Sequence, residues 1–367
     1  IVVSNQVDTI TRKFPALKRA RCVAYAKANV SGARNAGLSV AQADVVAFCD
    51  DDAVPEPRWL AHLTAPFAFD EIGGTGGAVR GRNGVSIQWN RTEIDGLGVD
   101  WPLPVHGADQ HPQRVLKTVG TNCAFRTGAL RSIGGFDEAF RFFLDEADVD
   151  WRLVRAGWQL AVQPEAEVHH AYAAGEYRSA NRVPASLYEI GASKAYFCKR
   201  HGEGLDRADA LASFRQSQSH RLFRLMGLGL LPGGRMRPML SELDDGMAEG
   251  GERQENCTFL RTEKLASQPY CTGPAPEPVL LVSNRLNTLR KRREAGRLAA
   301  DGYLVTLLEF ARTTRMLTVR FTDEGYWHHR GGAYGRAERT DPLFRLAKKS
   351  TRLSEEINRI KLQRTFQ

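Results

Sequence analysis

The stretch Val45-Val46-Ala47-Phe48-Cys49-Asp50-Asp51-Asp52 runs from apolar residues directly into three carboxylates. A short apolar run that ends abruptly predicts a buried strand of a parallel sheet. Ligands of open α/β sheets bind beyond the carboxyl ends of the strands, where this acidic cluster would lie. A divalent cation with oxygen ligands would relieve the repulsion between the carboxylates. The alternative is a solvated acidic turn before Pro55 and Pro57, and the triplet alone does not decide between the two.

The composition is that of a globular protein large enough for two domains joined by a helical connector. The 367 residues are 42% hydrophobic and 25% charged, and the net charge of +9 favours anionic partners without choosing among them. The six cysteines form no CxxC pair and lack histidines at zinc-finger spacing. They predict a reduced, cytoplasmic compartment with neither a disulfide framework nor structural zinc. No signal peptide or membrane-spanning run is visible, and because the chain starts at Ile1 inside an apparent strand, we expect an N-terminally incomplete sequence.

The residues before the acidic stretch predict two short strands and a helix. Residues 1–3 and 23–25 are apolar enough for strands, and residues 31–38 predict a helix with Ser31 as its N-cap. Arg34 at this helix start could contact a phosphate, with a surface salt bridge as the alternative.

Two later segments are predicted to be irregular. The run Gly73-Gly74-Thr75-Gly76-Gly77 matches no phosphate-binding motif and predicts a tight connection. Residues 82–114 are polar and contain three prolines, which predicts a long loop that is either functional or disordered.

A second acidic cluster opens an amphipathic helix at residues 143–153. Its first turn carries four carboxylates, which would complement the helix dipole but exceed what the dipole requires. Asp148 and Arg152 stand at i and i+4, an ordinary stabilising pair. The alternative is that this helix start supplies a general base, which needs only reach and a suitable pKa.

Residues 159–168 predict a strand that ends at His169 and His170. Adjacent strand residues point to opposite faces, so at most one of the two imidazoles faces a site. Two interpretations of that histidine remain open: it is a metal ligand, or it is simply a polar residue at the end of a strand.

The remainder of the chain predicts helices, a linker and a second α/β unit. Residues 176–240 interleave basic and aromatic side chains, which fits an amphipathic helical pair or a peripheral membrane contact. Residues 241–278 predict a linker, and residues 279–308 predict a βαβ start. The basic tail helix at residues 343–362 carries no nucleic-acid recognition motif, so no nucleic-acid partner is expected.

Four motifs in order resemble family 2 glycosyltransferases of the GT-A fold over about residues 1–200. They are Ser31 to Leu38 (SGARNAGL), Phe48 to Leu60 (FCDDDAVPEPRWL), Gly120 to Phe140 (GTNCAFRTGALRSIGGFDEAF) and Asp145 to Trp158 (DEADVDWRLVRAGW). The resemblance implies an α/β fold with a Rossmann-like mixed sheet flanked by helices. We divide the chain into a GT-A domain (1–200) lacking its first strand and helix, a helical connector (201–277) and a small accessory α/β domain (278–367).

The resemblance also implies roles for individual residues. Asp50 and Asp52 of the DxD triplet would bind a divalent metal, Mn²⁺ or Mg²⁺, with His170 completing the site. The family's ED motif is broken here to Glu146-Ala147-Asp148. We expect Asp148 to act as the general base, with Glu146 in reserve. The donor-binding candidates are Asp50, Asp51, Asp52, Arg34, Asn35 and Asp8, and the acceptor-binding candidates are Asn122, Phe136 and Asp145.

The implied activity is metal-dependent, inverting transfer of a sugar from a nucleotide-sugar donor to a hydroxyl of a glycan or lipid-linked acceptor. The implied setting is bacterial polysaccharide or surface glycan synthesis in the cytoplasm, with peripheral contact at the inner face of the membrane left open. The alternatives are a nucleotidyltransferase on a related sheet and a non-catalytic nucleotide-sugar-binding or scaffold protein. A nucleotidyltransferase would favour a basic glycine-rich loop near the first strand, which this chain does not show.

Overall fold

The computed structural model describes residues 1–103, 111–171, 173, 175, 177–179, 181–257, 275–284, 286–338 and 340–364. Strands and helices alternate through the first half of this chain, followed by three consecutive helices and a second α/β unit. In chain order the elements are β1 Val2–Ser4, α1 Val7–Lys13, β2 Cys22–Ala24, α2 Val30–Ser39, β3 Val45–Cys49, β4 Ala53–Pro55, α3 Trp59–Thr64, β5 Ile72–Arg80, β6 Ile87–Trp89, β7 Thr92–Asp95, β8 Asp100–Pro102, β9 Arg114–Leu116, β10 Asn122–Arg126, α4 Thr127–Ser132, α5 Asp145–Arg155, β11 Gln159–His170, α6 Tyr188–His201, α7 Arg207–Gly227, α8 Gly233–Glu252, β12 Pro278–Ser283, α9 Thr288–Ala300, β13 Leu304–Ala311, β14 Thr318–Phe321, β15 Trp327–Gly332 and α10 Lys349–Ile360.

A six-stranded mixed sheet forms the centre of the first half and confirms the predicted α/β class. Its order is β3-β10-β5-β11-β4, with β6 paired to the end of β5. Strands β5 and β11 are parallel, whereas β10 is antiparallel to both of its neighbours. The prediction that β3 is a buried parallel strand was wrong, because β3 is a half-buried strand paired only with antiparallel β10. Strands β1 and β2 form a separate two-stranded parallel sheet.

Helices cover both faces of the central sheet. Phe125 of β10 packs with Phe136 and with apolar residues of α2, α4 and α5 on one face. Its neighbour Ala124 packs on the other face with Leu63 of α3. This alternation follows from the two-residue period of a strand, and it yields a layered α/β domain.

The glycine-rich run is the central strand β5 and not the tight connection we predicted. Every residue from Ile72 to Arg80 is buried. A Cβ on Gly74 would lie 2.8 Å from the Phe125 ring, and one on Gly77 would lie 2.2 Å from the carbonyl oxygen of Ala166. Because the neighbouring strands carry large side chains over these positions, only glycine fits, and packing outweighs its low strand propensity.

The polar segment predicted to be a long loop is ordered over its described residues. Strands β7, β8 and β9 form an antiparallel sheet in the order β8-β7-β9, and Ile94 and Val115 are buried beneath it. Residues 104–110 lie outside the described part of the chain. Short strands with alternating polar side chains escaped the sequence analysis because their exposed faces dominate the composition.

Helices α6, α7 and α8 follow the first half, and α8 corrects the predicted linker. The linker was expected from residue 241, but α8 continues to Glu252. A Cβ on Gly246 or Gly250 would lie 2.1 Å from a backbone carbonyl oxygen of α6. The glycines that suggested a linker are therefore the residues that let two helices pack closely. Residues 258–274 of the predicted linker lie outside the described residues.

The second α/β unit has the predicted βαβ start. Strands β12, β13 and β15 are parallel and β14 closes the sheet antiparallel to β15, in the order β12-β13-β15-β14. Helix α10 begins at Lys349, six residues later than expected. The domain boundaries at 200 and 277 stay predictions, although α6 ends at His201 and β12 begins at Pro278.

The five cysteines in the described part of the chain are free thiols, whereas Cys271 lies outside it. Among the described helices, none combines the length and apolarity that crossing a membrane requires.

Candidate active site

Three of the predicted metal ligands lie together where β3 and β11 end. Asp50 and Asp52 occupy the turn between β3 and β4, and His170 ends β11, paired with Ala53 of β4. His170 Nε2 lies 2.9 Å from Asp52 Oδ1 and 3.9 Å from Asp50 Oδ2. One ligand atom from each residue lies within 4.8 Å of the other two. The turn and the strand pairing thus bring residues 120 positions apart into one group.

The chemistry of this group fits a divalent cation. Two carboxylates and an imidazole are ligands that Mn²⁺ accepts, and Mg²⁺ accepts the oxygens. Burial raises the pKa of Asp52, but the hydrogen bond from His170 and the nearby charges of His170 and Arg178 outweigh it and lower the pKa overall. Asp52 is therefore ionised and ready to bind a cation. A metal on His170 Nε2 would displace the proton that this nitrogen donates to Asp52.

Two further residues at this site were missed by the sequence analysis. Arg178 Nη2 lies 2.9 Å from Asp52 Oδ2, and the Thr121 hydroxyl donates a hydrogen bond to Asp50. The backbone amide of Ala173 donates to Asp52 at 2.8 Å. Arg178 lies eight positions after His170, the last residue of β11. A basic residue in the loop after this strand was the feature of the sequence that could have identified it. Its guanidinium has the charge and geometry for a phosphate oxygen.

The turn at residues 118–121 connects the DxD group to the second acidic cluster. The Thr118 amide donates to Asp150 of α5 at 2.7 Å, and Arg34 lies against Gly120, where a Cβ would come within 2.1 Å of its guanidinium. The same guanidinium forms an ion pair with Asp145. Thr121 in turn contacts Asp50, so the first turn of α5 and the DxD group flank one turn. The two acidic clusters are therefore linked through this one turn of the chain.

The thiol of Cys123 in β10 is fully buried. Burial raises its pKa well above the usual value, the charge of Arg34 opposes this, and the charges of Asp150, Glu146 and Asp50 add smaller upward shifts.

The backbone before α5 is strained. Phe143 and Leu144 have φ of 74° and 65°, a region that bulky residues rarely adopt. Hydrogen bonds hold this segment: the Ser31 hydroxyl donates to the Phe140 carbonyl at 2.6 Å, and the Ser193 hydroxyl donates to the Phe142 carbonyl at 2.7 Å. Strain of this kind is typical of functional sites, and here it fixes the start of the helix that carries Glu146.

Asp148 does not lie where a general base must lie. Its side chain is fully buried, and it accepts from Arg152 at 2.7 Å, from Arg200 at 3.0 Å and from His201 at 2.9 Å. Burial raises its pKa, but Arg152, His201 and Arg200 together lower it to about 2. An enclosed carboxylate held by three donors can neither reach an acceptor hydroxyl nor readily take its proton. The expectation for Asp148 therefore fails on geometry, because the helix turns this residue towards α6.

Glu146 has the exposure that Asp148 lacks. It is partly exposed in the first turn of α5, beside the ion-paired Asp145. Within the described part of the chain, no hydrogen bond or ion pair occupies its carboxylate. The residue that we held in reserve thus carries the free carboxylate of the second cluster.

Other predicted site residues have structural contacts in this fold. Asn35 exchanges two hydrogen bonds with the backbone of Phe136, whose ring lies in the apolar core. The buried amide of Asn122 donates to two strand carbonyls and accepts from Trp59. Asn122 and Phe136 are therefore not placed to line an open acceptor pocket, and Asn35 is not placed to bind the donor. Helix α2 is capped by Asn29, whose side chain accepts a hydrogen bond from the Gly32 amide at 3.0 Å, and not by the predicted Ser31.

Two predicted donor-binding residues are exposed. Asp51 lies in the DxD turn without a hydrogen bond or ion pair to the described residues. Asp8 lies in α1, away from the bonded network of the DxD group. Asp51 is therefore near the DxD group because it is adjacent in sequence to Asp50 and Asp52. Among the described residues, no hydrogen bond or ion pair links Asp8 to this group.

His169 faces the opposite way from His170, as expected for adjacent strand residues. It donates to Glu56 at 2.8 Å, and Glu167 completes a second group with metal-like spacing. Arg364 Nη2 and Nε donate to the two oxygens of Glu56 at 2.6 and 2.9 Å, and Arg80 pairs with Glu167. Because both carboxylates already have buried cationic partners, this second group is a structural network.

The first domain is thus of the α/β class, with two carboxylates and an imidazole grouped at the ends of strands in a mixed sheet. Comparison of the sequence with known protein families gives a match to this part of the chain. The family model "Glycosyl transferase family 2" matches residues 9–134. This match confirms, for that segment, the family that the sequence motifs predicted.

Two curated relatives share part of the sequence. Both are named pre-mycofactocin glycosyltransferase, from Mycobacterium tuberculosis strains CDC 1551 / Oshkosh and ATCC 25618 / H37Rv. Each is 30% identical over 145 residues, which is 38% of this chain and 29% of the relative. The chain thus aligns with less than a third of their length.

Two solved structures share a distant likeness. GalNAc-T7 with UDP, GalNAc and Mn²⁺ is 16% identical over 58% of this chain and 46% of its own, with a TM-score of 0.39. The mannosyltransferase PcManGT from Pyrobaculum calidifontis, in complex with GDP-Man and Mn²⁺, is 12% identical over 67% of this chain and 74% of its own, with a TM-score of 0.37. At these scores the likeness carries no argument about the site.

Proposed function

We propose that this protein is a metal-dependent glycosyltransferase that moves a sugar from a nucleotide-sugar donor to an acceptor hydroxyl. The observation that carries the proposal is the group of Asp50, Asp52 and His170, whose ligand atoms lie within 4.8 Å of one another on a family 2 domain. A divalent cation bound there would neutralise the negative charge on the departing diphosphate. Arg178, which contacts Asp52, would add a second positive charge beside the phosphates.

Glu146 is the proposed general base, replacing Asp148. It would accept the proton of the acceptor hydroxyl while that oxygen bonds to the anomeric carbon. The bond between this carbon and the diphosphate oxygen breaks, and the electron pair leaves with the diphosphate. Attack from the side opposite the leaving group inverts the anomeric centre. The family resemblance further supports a hexosyl donor and a role in bacterial surface glycan synthesis.

Binding measurements test the metal site without knowledge of the acceptor. We expect Mn²⁺ to bind the protein, and UDP or GDP to bind tightly only in its presence, as measured by calorimetry. Asp52→Asn should abolish this metal-dependent binding, whereas Asp51→Asn, a matched change in the same turn, should leave it unchanged. Equal losses in both variants would show that the acidic turn acts only through its net charge.

Turnover tests the base. With an acceptor found by screening, Glu146→Gln should keep metal-dependent nucleotide binding and lose about 10²- to 10⁴-fold in rate. NMR of the product should show the inverted anomer. Unchanged turnover in Glu146→Gln would show that another group takes the proton. Release of pyrophosphate from a nucleoside triphosphate would instead identify a nucleotidyltransferase, and absence of nucleotide binding would favour a scaffold.

A further inference from the structure

The end of the α7–α8 helical hairpin exposes large apolar side chains. We call residues 220–237 the hairpin tip; they include the last turns of α7, the connection and the start of α8. Phe223, Leu228 and Leu230 are 57%, 64% and 37% exposed, while their neighbours Leu222, Leu225 and Leu231 are buried between the helices. The exposed residues therefore do not contribute to packing between the two helices, and their exposed apolar surface does not stabilise the fold.

The sequence around these apolar residues carries positive charge. Between Asp209 and Glu242 it contains five arginines and no acidic residue, and of these arginines Arg215 is ion-paired with Asp244 of α8. Arg224 and Arg237 are exposed, and their side chains form neither a hydrogen bond nor an ion pair with the described residues. Apart from burial, the pKa of Arg221 is lowered by the charge of Arg224, which shows that these cations lie close together. The hairpin tip is thus an apolar surface with uncompensated positive charge.

These two properties together match the interface of an anionic bilayer. Apolar side chains enter the boundary between head groups and acyl chains, while arginines bind the lipid phosphates and are attracted by an anionic surface. Long arginine side chains can keep their charge at head-group depth while the tip inserts. A second copy of this chain is a poor partner, because two such tips would repel each other.

We propose that the hairpin tip docks this protein on anionic membranes, by insertion of Phe223, Leu228 and Leu230 among lipids whose phosphates bind the flanking arginines. The inference goes beyond the proposed function and does not depend on it. It replaces the broad membrane contact predicted for residues 176–240 with one defined surface. In this region Tyr196 and Phe197 are buried, so these two of the interleaved aromatic residues are unavailable to lipid.

Vesicle sedimentation of the full chain tests the proposal. We expect the protein to sediment with phosphatidylcholine vesicles that contain phosphatidylglycerol, and hardly at all with phosphatidylcholine alone. The triple variant Phe223→Ser, Leu228→Ser, Leu230→Ser should bind at least about tenfold more weakly. Arg224→Gln with Arg237→Gln should also weaken binding about tenfold, and added salt should reduce what remains.

A matched triple variant controls for general loss of apolar surface. Leu60, Phe69 and Leu343 are 51%, 63% and 73% exposed on other elements, and their replacement by Ser should leave vesicle binding unchanged. Circular dichroism confirms that both triple variants are folded. The proposal is overturned if the full chain ignores anionic vesicles, or if both triple variants bind alike. It is also overturned if the tip variant dissociates an oligomer seen without lipid, which would make the tip a protein interface.

Discussion

Removal of the buried Arg364 guanidinium should strongly destabilise the protein. Arg364 is 1% exposed and lies 308 positions from its partner Glu56. It donates twice to Glu56 and once to His329, at 2.8 Å, and its guanidinium lies 4.1 Å from the centre of the Trp327 ring. The contact joins the first α/β domain to the second α/β unit.

The magnitude follows from what Arg364→Met leaves behind. Glu56 would keep only the hydrogen bond from His169, and its charge would be buried without a cation. Breaking a buried ion pair on one side costs about 3–5 kcal/mol, whereas an exposed pair contributes about 0–1 kcal/mol. We therefore expect the free energy of unfolding to fall by about 3–5 kcal/mol. Because Met approximates the length of the arginine stem, loss of packing should add little.

Urea unfolding followed by tryptophan fluorescence measures this loss. Arg330→Met is the matched control, because Arg330 pairs with Glu309 at the surface and should cost less than about 1 kcal/mol. The double variant Arg364→Met, Glu56→Gln should recover part of the stability, since it removes the uncompensated charge. Equal losses for Arg364→Met and Arg330→Met would refute the reasoning and show that the two units are not coupled through this arginine.

Three further outcomes follow from buried groups. Asp148→Asn should lower the free energy of unfolding, measured in urea, by about 3–5 kcal/mol. A loss of turnover in this variant would therefore not identify Asp148 as a base. A variant as stable as the unmodified protein would contradict the buried ion pairs. Gly77→Ala should cost about 2–3 kcal/mol or more, because its Cβ would lie 2.2 Å from a backbone oxygen, whereas Gly128→Ala, with open space, should be neutral or slightly stabilising; similar thermal shifts in both would argue against close packing of β5. Burial lowers the pKa of His329 from 6.5 to about 4, so between these values the unfolded state binds more protons and stability falls as pH falls, by up to about 1.4 kcal/mol per pH unit. His329→Gln should flatten this dependence, and an unchanged slope would show that other groups dominate it.

Burial is the main reason for the low pKa of His329, and the charge of Arg364 lowers it further. Arg364 can only donate, so His329 Nε2 must accept and the imidazole is neutral, with its proton on Nδ1 facing Glu356. Protonation of Nε2 would place two cations 2.8 Å apart inside the protein. The sequence offers no trace of this, since His329 lies in β15, Glu356 in α10 and Arg364 beyond the end of α10.

Local patterns in the sequence predicted the strands and the helix that carry the site residues. The apolar run before Asp50 predicted β3, residues 159–168 predicted β11, and the amphipathic pattern of residues 143–153 predicted α5. Because strand and helix periodicity fix which side chains share a face, the sequence also predicted that only one of His169 and His170 could face the site. The family resemblance added the order of these elements around a nucleotide.

Only the tertiary structure decided which carboxylates are free and which are buried. Asp148 and Glu146 lie two residues apart, yet the direction of α5 turns Asp148 towards Arg200 and leaves the Glu146 carboxylate without a partner among the described residues. The glycines of β5 and α8 suggested turns because propensity describes isolated segments, whereas close packing against neighbours requires glycine at these positions. The sequence by itself determined the elements and the chemical groups available; long-range packing determined which groups remain exposed to react.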